Sequence, residues 1–490
     1  MNSNKFSWFL NKFFFVHPVA LSLIFIINSY ELVRYNKSVS TIEILLSVAL
    51  TFLFLKLNYF LFIKLLKNKF KAAILASVFQ FFCLFYWYIF NLSNSVNLTQ
   101  IIVKFAFFGH QSIALSVTYL LFSLLLIFYL KRSNTDLLKF TWFLNVLSII
   151  FLFIILIQNI KANNTNITLK NRDKITEGKV GRNTPNIYYI ILDSYTGNNS
   201  LKKYWNFDNS EFINYLKSKG FYVANSNSNY NYTPYSLSSS LNMSYLDLDN
   251  NREKSKKNFN DLLNLINNCR AVKFIKNNGY RFINYSFFDV SNQSKSYRDH
   301  FLFQDRFFSR SIFTMLFSGI TDIRDQDELK SLPKDNLTVL NKVKNLTLDS
   351  NKRYFVYAHL LLPHFPYFFD HNGKLTPFID AYSTGDQQRY LEQLRFTNKL
   401  ITDCIETILR NSKSKPIIII QGDHGFRFLQ NKDQLAESFS ILNAYLFPDN
   451  DYSSLYDSIS PVNTFRVMLN KYFGTKLNLL NDHSTDVFSN

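Results

Sequence analysis

The sequence predicts a two-part protein: a five-helix transmembrane domain over residues 1–160, then an extracytoplasmic α/β domain with a mostly parallel central sheet over 186–490. Three observations predict it. The 490-residue chain is rich in Phe, Leu and Ile up to about residue 160, and in Asn, Ser, Lys and Asp beyond. Five windows of the first part stay apolar over the roughly 17–25 residues that a bilayer-crossing helix needs. In the second part, short continuous apolar runs alternate with amphipathic stretches, the pattern of strands buried on both faces by crossover helices.

The five windows are Phe13–Tyr30, Ile44–Ile63, Ala72–Phe90, Ile113–Leu130 and Phe140–Ile160. Lys56 and Asn58 interrupt the second, with Lys56 near enough to one end to snorkel toward the headgroups. The first reads as a span rather than a removed leader, because four more follow and no small-residue cleavage site appears. Positive charge concentrates after the second window (Lys64, Lys67, Lys69, Lys71) and after the fourth (Lys131, Arg132, Lys139). The first connection carries only Arg34 and Lys37, and the third only Lys104. The positive-inside rule then places the N-terminus inside and everything after Ile160 outside. The expectation is a multi-pass protein of the cytoplasmic membrane whose polar half lies on the periplasmic or extracellular side.

A formal charge of +19 suits anionic partners such as lipid headgroups or phosphorylated glycans. Base-biased coding gives a Lys- and Asn-rich composition equally well. Nucleic acid is not expected as a partner on the far side of the membrane. Cys269 and Cys404 are the only cysteines outside the windows, so one disulfide is the most the outer half could hold.

Residues 161–185 lack apolar periodicity and end in Pro185, which reads as a linker. "NIYYIILD" (186–193) is a buried strand closed by a carboxylate. "NSEFINYLKSKGF" (209–221) is a helix with Asn209 as cap and Gly220 as stop, and "FYVANS" (221–226) a second strand. "RYFVYAHLLLP" (353–363) and "KPIIIIQGD" (415–423) are two more strands. Between them an amphipathic helix over about 386–410 turns Leu391, Leu394, Ile401, Ile405 and Ile408 toward the core. The segment from about 244 to 345 carries no usable motif and is expected to shape an acceptor pocket.

Open α/β sheets place their sites beyond the carboxyl ends of the strands. There the sequence sets Asp193, His364, and the pair Asp423 and His424, with the hydroxyl-rich "YTPYSLSSS" (232–240) after the second strand. Two aspartates, a histidine and a hydroxyl suit a divalent cation, which would favour an alkoxide and polarise a phosphoryl oxygen. Each piece has a plainer alternative. Asp193 can be a turn former, "GDHG" a capped turn, and the serine-rich stretch a loop that caps the next helix. His364 can be a satisfied histidine among aromatics, and His359 is read as one.

Taken in order, "YYIILDSY", "TPYSLSSSLN", "AHLLLPHFPYFF" and "QGDHG", after five apolar windows, resemble the alkaline phosphatase-like superfamily. Within it the chain resembles the sulfatase-like membrane transferases, the group of lipoteichoic acid synthase and the lipid A phosphoethanolamine transferases. The resemblance implies one divalent cation, zinc or manganese, held by Asp193, Thr233, Asp423 and His424. It implies Thr233 as nucleophile at a helix start, with Ser236 as fallback. His364 would contact the phosphoryl group or protonate the leaving oxygen, and Arg427 would hold phosphate, unless it is an exposed rim charge. Sulfatases of this superfamily need Cys or Ser in Cys/Ser-x-Pro-x-Arg; here Thr233 directly precedes Pro234 and no Arg follows in register. The only histidine after "DHG" is His483, so a second metal site is expected to be weak or absent. The implied activity moves a substituted phosphate, of phosphoglycerol or phosphoethanolamine type, from a phospholipid donor to an envelope glycan or lipid acceptor through a phosphothreonine. A phosphatase or phosphodiesterase, or a non-catalytic scaffold, are the alternatives.

Overall fold

The computed structural model describes residues 13–36, 41–86, 88–89, 111–163, 167–170, 173–175, 184–248, 259–294, 296, 311, 332–349, 351–377, 381, 385–428 and 432–488. The chain divides into two compact units, one including Met1–Asn164 and the other Thr165–Phe301 with Asp327–Asn490.

The first unit holds helices α1 (Val16–Asn36), α2 (Thr41–Leu66), α3 (Lys69–Leu84), α4 (Gln111–Arg132) and α5 (Leu138–Asn163). They overlap the five apolar windows, but among the described residues only the stretches Ile44–Leu66, Leu115–Arg132 and Leu138–Gln158 are long and apolar enough to cross a membrane; Val16–Tyr30 is a shorter apolar stretch. α3 is 16 residues long, because Phe85 leaves the helical region (φ −103°, ψ 21°). Positions 87 and 90 of the expected third span lie outside the described residues. Lys56 is exposed, whereas Asn58 is buried. Buried polar side chains tie the helices together, as small and polar groups do between apolar helices. The His17 amide donates to Asn145 Oδ1 (2.9 Å) and Gln80 Nε2 to Ser22 Oγ (2.8 Å).

The second unit is built on a six-stranded sheet. Its strands are β2 (Ile187–Leu192), β3 (Tyr222–Asn227), β5 (Tyr280–Tyr285), β6 (Arg353–Leu360), β7 (Ile417–Gly422) and β8 (Ser440–Leu446), in the order β3-β8-β7-β2-β6-β5. β7, β2, β6 and β5 are mutually parallel neighbours, while β8 runs antiparallel to both β7 and β3, so the sheet is mixed. A small antiparallel pair, β1 (Thr168–Leu169) with β4 (Leu246–Asp247), lies apart; β1 falls within the expected linker.

The centre of the sheet is apolar on both faces, which is why its strands read as unbroken runs. In β2, Tyr188, Ile190 and Leu192 enter one core and Ile187, Tyr189 and Ile191 the other. The first face is covered by α6 (Asn198–Trp205), α7 (Ser210–Ser218), α11 (Leu332–Lys344) and α12 (Gln387–Asn411). The second is covered by α8 (Thr233–Asn242), α9 (Phe259–Asn267), α10 (Arg270–Asn277) and α13 (Pro461–Phe473).

Two local expectations change. Asn209 occupies the cap position of α7 but turns inward, donating to Tyr195 Oη (2.9 Å) and accepting from Asn398 (2.7 Å). The Ser210 amide is taken instead by Asp208 Oδ1. Cys269 and Cys404 are free thiols, buried in cores on opposite faces of the sheet, which rules out a bridge between them.

Candidate active site

Parallel register brings the expected carboxylates together. Leu192 of β2 pairs with Gly422 of β7, so the next residues, Asp193 and Asp423, leave the sheet side by side. Side chains alternate faces along a strand. Asp193 and Asp423 continue the parity of Ile187, Tyr189, Ile417 and Ile419, and so lie on the face that α8 covers. His359 of β6 pairs with Ile191 and shares that parity.

The stretch that includes Thr233 is a buried helix rather than a surface loop. Tyr232 is extended (φ −144°, ψ 130°), and Thr233 and Pro234 open α8, proline supplying a helix-ready φ where no amide partner is needed. Every residue of α8 is buried. Its amino end, the positive end of the helix dipole, faces the two aspartates. Thr233 Oγ1 lies 3.2 Å from His424 Nε2. The fallback hydroxyl is committed elsewhere: Ser236 Oγ donates to the Asp423 carbonyl at 2.6 Å.

His424 is oriented by its own loop. Its Nδ1 donates to the Gly425 carbonyl (2.7 Å), leaving the Nε2 lone pair 3.5 Å from Asp193 Oδ1 and 3.7 Å from Asp423 Oδ2. A side chain at 425 would not fit; an added Cβ would stand 2.1 Å from the Glu437 carbonyl oxygen and 2.6 Å from that of Ser440. The glycine after the histidine is therefore required by close approach of backbone. Burial and the Arg427 guanidinium keep His424 well below its usual pKa, a neutral imidazole with a lone pair to give.

The carboxylates are held in unequal states. Burial and the neighbouring Asp193 push Asp423 up to about 6. Burial also opposes ionisation of Asp193, but His364, His359 and His424 outweigh it and hold that carboxyl below the usual range. Asp423 Oδ1 accepts the amides of Ser194 (3.0 Å) and His424 (2.9 Å). Asp193 Oδ1 and Asp423 Oδ2 have no hydrogen-bond partner among the described residues, though both are buried. Buried oxygens without donors are costly unless something positive meets them. Two three-residue groups, Asp193–His364–His424 and Asp193–His359–Asp423, each present ligand atoms within 4.8 Å of one another. The donor chemistry of both groups suits a divalent cation, and His424 Nε2, facing a carboxylate oxygen of Asp193 and of Asp423, lies between them.

His359 corrects the sequence reading. Its ring does lie among aromatics, 4.2 Å from Phe287, yet neither nitrogen is hydrogen-bonded among the described residues and Nε2 is 3.6 Å from Asp193 Oδ2. Only its parity with Ile191 betrays it, and parity is invisible until the pairing of β2 with β6 is known. His364 lies at the same end of the sheet, its Nδ1 directed to the Phe365 carbonyl and its Nε2 accepting from Arg427 Nη2 at 3.4 Å. Arg427 is partly buried rather than on an exposed rim. His483 is exposed and stacks edge-on against Tyr245, away from this cluster. Most of 295–331, in the segment expected to shape an acceptor pocket, lies outside the described residues.

No family model and no curated protein matches the chain. Among solved structures it is similar to the integral membrane lipooligosaccharide phosphoethanolamine transferase A (EptA) of Neisseria meningitidis, at 11% identity over 95% of each chain and a TM-score of 0.43. The C-terminal periplasmic domain of phosphoethanolamine transferase EptC from Campylobacter jejuni matches at 14% identity, covering 61% of this chain and 92% of that one, TM-score 0.38. The corresponding EptC domain of Escherichia coli, in complex with Zn, matches at 12% identity over 62% and 87% of the two chains, also at 0.38. These proteins belong to the group that the motifs resemble; at such low identities and TM-scores the likeness stands as similarity alone, and the functional reading rests on the side chains.

Proposed function

We infer that the second unit is a metal-dependent phosphoryl-group transferase, moving a substituted phosphate from a phospholipid to an envelope glycan or lipid through Thr233. The observation that carries this reading is the placement of Thr233 Oγ1. It opens a buried helix, 3.2 Å from an imidazole nitrogen that also faces two buried, donor-poor carboxylates. A hydroxyl is a weak nucleophile without such company. When bound, a divalent cation such as zinc or manganese would favour the ionised hydroxyl and polarise a phosphoryl oxygen.

The chain's own residues supply the rest. Asp193, Asp423 and His424 would hold the cation together with the Thr233 oxygen, with His359 beside them. The amino end of α8 and Arg427 neutralise phosphate charge. Thr233 Oγ1 forms a bond to phosphorus as the phosphorus–oxygen bond to the lipid breaks; the proton that Thr233 sheds is taken up by the lone pair of His364 Nε2, which hands it to the departing lipid oxygen. The acceptor hydroxyl then displaces Thr233 and takes the group, its proton passing by way of His364 to the released Thr233 oxygen. The membrane-length helices of the same chain keep such a catalyst among lipid donors. The orientation implied by the positive residues puts it on the outer side of the cytoplasmic membrane.

The test is mass spectrometry of the purified chain after incubation with total lipids. A substituted-phosphate adduct on the peptide containing Thr233, absent in Thr233→Ala, is expected; turnover retained by Thr233→Ala removes it as nucleophile. Labelled phospholipid distinguishes transfer from hydrolysis. Label reaching a lipid or glycan supports transfer, and label found only in water-soluble phosphate supports the hydrolase.

A further inference from the structure

Arg427 is held in an unusual way for a cation beside two carboxylates. Among the described residues no carboxylate lies within ion-pair distance of its guanidinium. Two aromatic rings hold it instead: Tyr232 at 5.0 Å from its centre and Phe488 at 5.5 Å. The two rings are themselves in contact, centroids 5.4 Å apart. One edge of the guanidinium stays polar, with Nη2 3.4 Å from His364 Nε2. Stacking on ring faces fixes a guanidinium's plane without consuming its hydrogen-bond donors.

The two rings come from distant parts of the chain. Tyr232 immediately precedes Thr233, while Phe488 ends a segment that is laced to the turn before the nucleophile. Ser484 Oγ donates to the Ser228 carbonyl (2.7 Å) and the Thr485 amide to the Asn229 carbonyl (2.9 Å). Asn231 grips the segment with both ends of its side chain: Nδ2 donates to Asp486 Oδ1 (2.8 Å), and Oδ1 accepts from the Val487 amide (3.1 Å). Val487 is buried with Tyr230 and Tyr235. Phe488, by contrast, is 50% exposed, so its placement is owed to the contacts of its ring face rather than to burial in a core.

We propose that Tyr232 and Phe488 are positioning residues for Arg427, and that Ser484–Phe488 is the strap that locks Phe488 to the nucleophile turn. Thr233 and the phosphate-binding guanidinium then move as one body, although 194 positions separate them. This rests on the reading above in one respect, that Arg427 holds phosphate. The rings spend the entropy of ordering a long side chain before substrate arrives, and they leave its free donors for an anion.

The experiment uses the full chain in detergent, loaded with zinc, and inorganic phosphate as probe, with affinity read by calorimetry. Phe488→Ala and Phe488→Leu should each weaken phosphate binding by roughly 2- to 30-fold, the worth of a partly desolvated cation–π contact. Phe488→Tyr, which keeps the ring, should restore it. In an Arg427→Ala background Phe488→Ala should cost nothing further, because the ring acts only through the guanidinium. Wild-type affinity in Phe488→Ala, or an equal loss in both backgrounds, overturns the strap while leaving Arg427 in place. Wild-type phosphate affinity in Arg427→Ala overturns both the phosphate role of Arg427 and the strap.

Discussion

At Ser236 and Thr233 two hydroxyls, one helical turn apart, are given opposite tasks by their surroundings. Ser236 Oγ is used up on the Asp423 carbonyl, whereas Thr233 Oγ1 faces His424 Nε2. Ser236→Ala should therefore keep turnover within a few-fold and lower stability by about 1 kcal/mol, the worth of one buried hydrogen bond. Thr233→Ala should do the reverse, and paired activity and thermal-unfolding measurements check both. Glu437 sets a separate expectation. Its Oε1 accepts from the Trp205 indole, its Oε2 has no partner among the described residues, and burial pushes it up to about 8 from 4.5. The folded chain thus keeps a proton that the unfolded chain releases; that stabilisation is complete below pH about 4.5 and is lost as the pH climbs toward 8. Glu437→Gln should flatten the fall in stability over that window, by at most about 1.4 kcal/mol per pH unit. An unchanged pH profile of Tm in the variant would show that Glu437 does not titrate there.

α8 is the element on which the site turns, and it is held at both ends. Tyr232 and Pro234 start it, and Met243 ends it in the left-handed region (φ 56°). Arg466, only 1% exposed, donates to the Met243 carbonyl through Nε (2.9 Å) and Nη2 (2.6 Å). Its Nη1 reaches Asn478 O (2.5 Å) and Asp173 Oδ2 (2.8 Å). A cation at the carboxyl end of a helix satisfies carbonyls that the helix leaves open and complements its dipole. Arg466→Met should cost about 2–4 kcal/mol by stranding those buried carbonyls. Thermal unfolding measures the loss, and phosphate transfer should fall with it as α8 loosens. A neutral effect would mean that the helix is held by packing alone.

For the whole molecule, the buried cluster of Asp193, Asp423, His359 and His424 destabilises the fold, and on the proposed function a bound cation would offset that. Zinc should raise Tm, and a hundredfold excess over Kd corresponds to about 2.7 kcal/mol. Chelation should lower Tm again without unfolding the cores, which lie along the sheet rather than at its tip. Asp193→Asn should abolish the zinc-dependent gain; a gain equal to that of the unsubstituted chain would place the cation elsewhere.

Local chemistry and periodicity are enough to read the apolar helices, the strands β2, β3, β6 and β7, and the placement of Asp193, Asp423 and His424 at strand ends; Thr233 is singled out among its neighbouring hydroxyls only by the resemblance to a known family. Buried strands are apolar on both faces whatever their neighbours, and carboxylates that close them have no role in packing. β5 and β8 are not legible in the sequence because "YRFINY" and "SILNAYL" mix polar residues into short runs, and β8's antiparallel course depends on which edge of β7 is free. The strand partner that turns His359 toward Asp193, the inward turn of Asn209, and the pairing of Phe488 with Tyr232 around Arg427 were decided by the tertiary structure alone. Each depends on a contact between residues tens to hundreds of positions apart, and such contacts are chosen by how the layers pack, which no local pattern encodes.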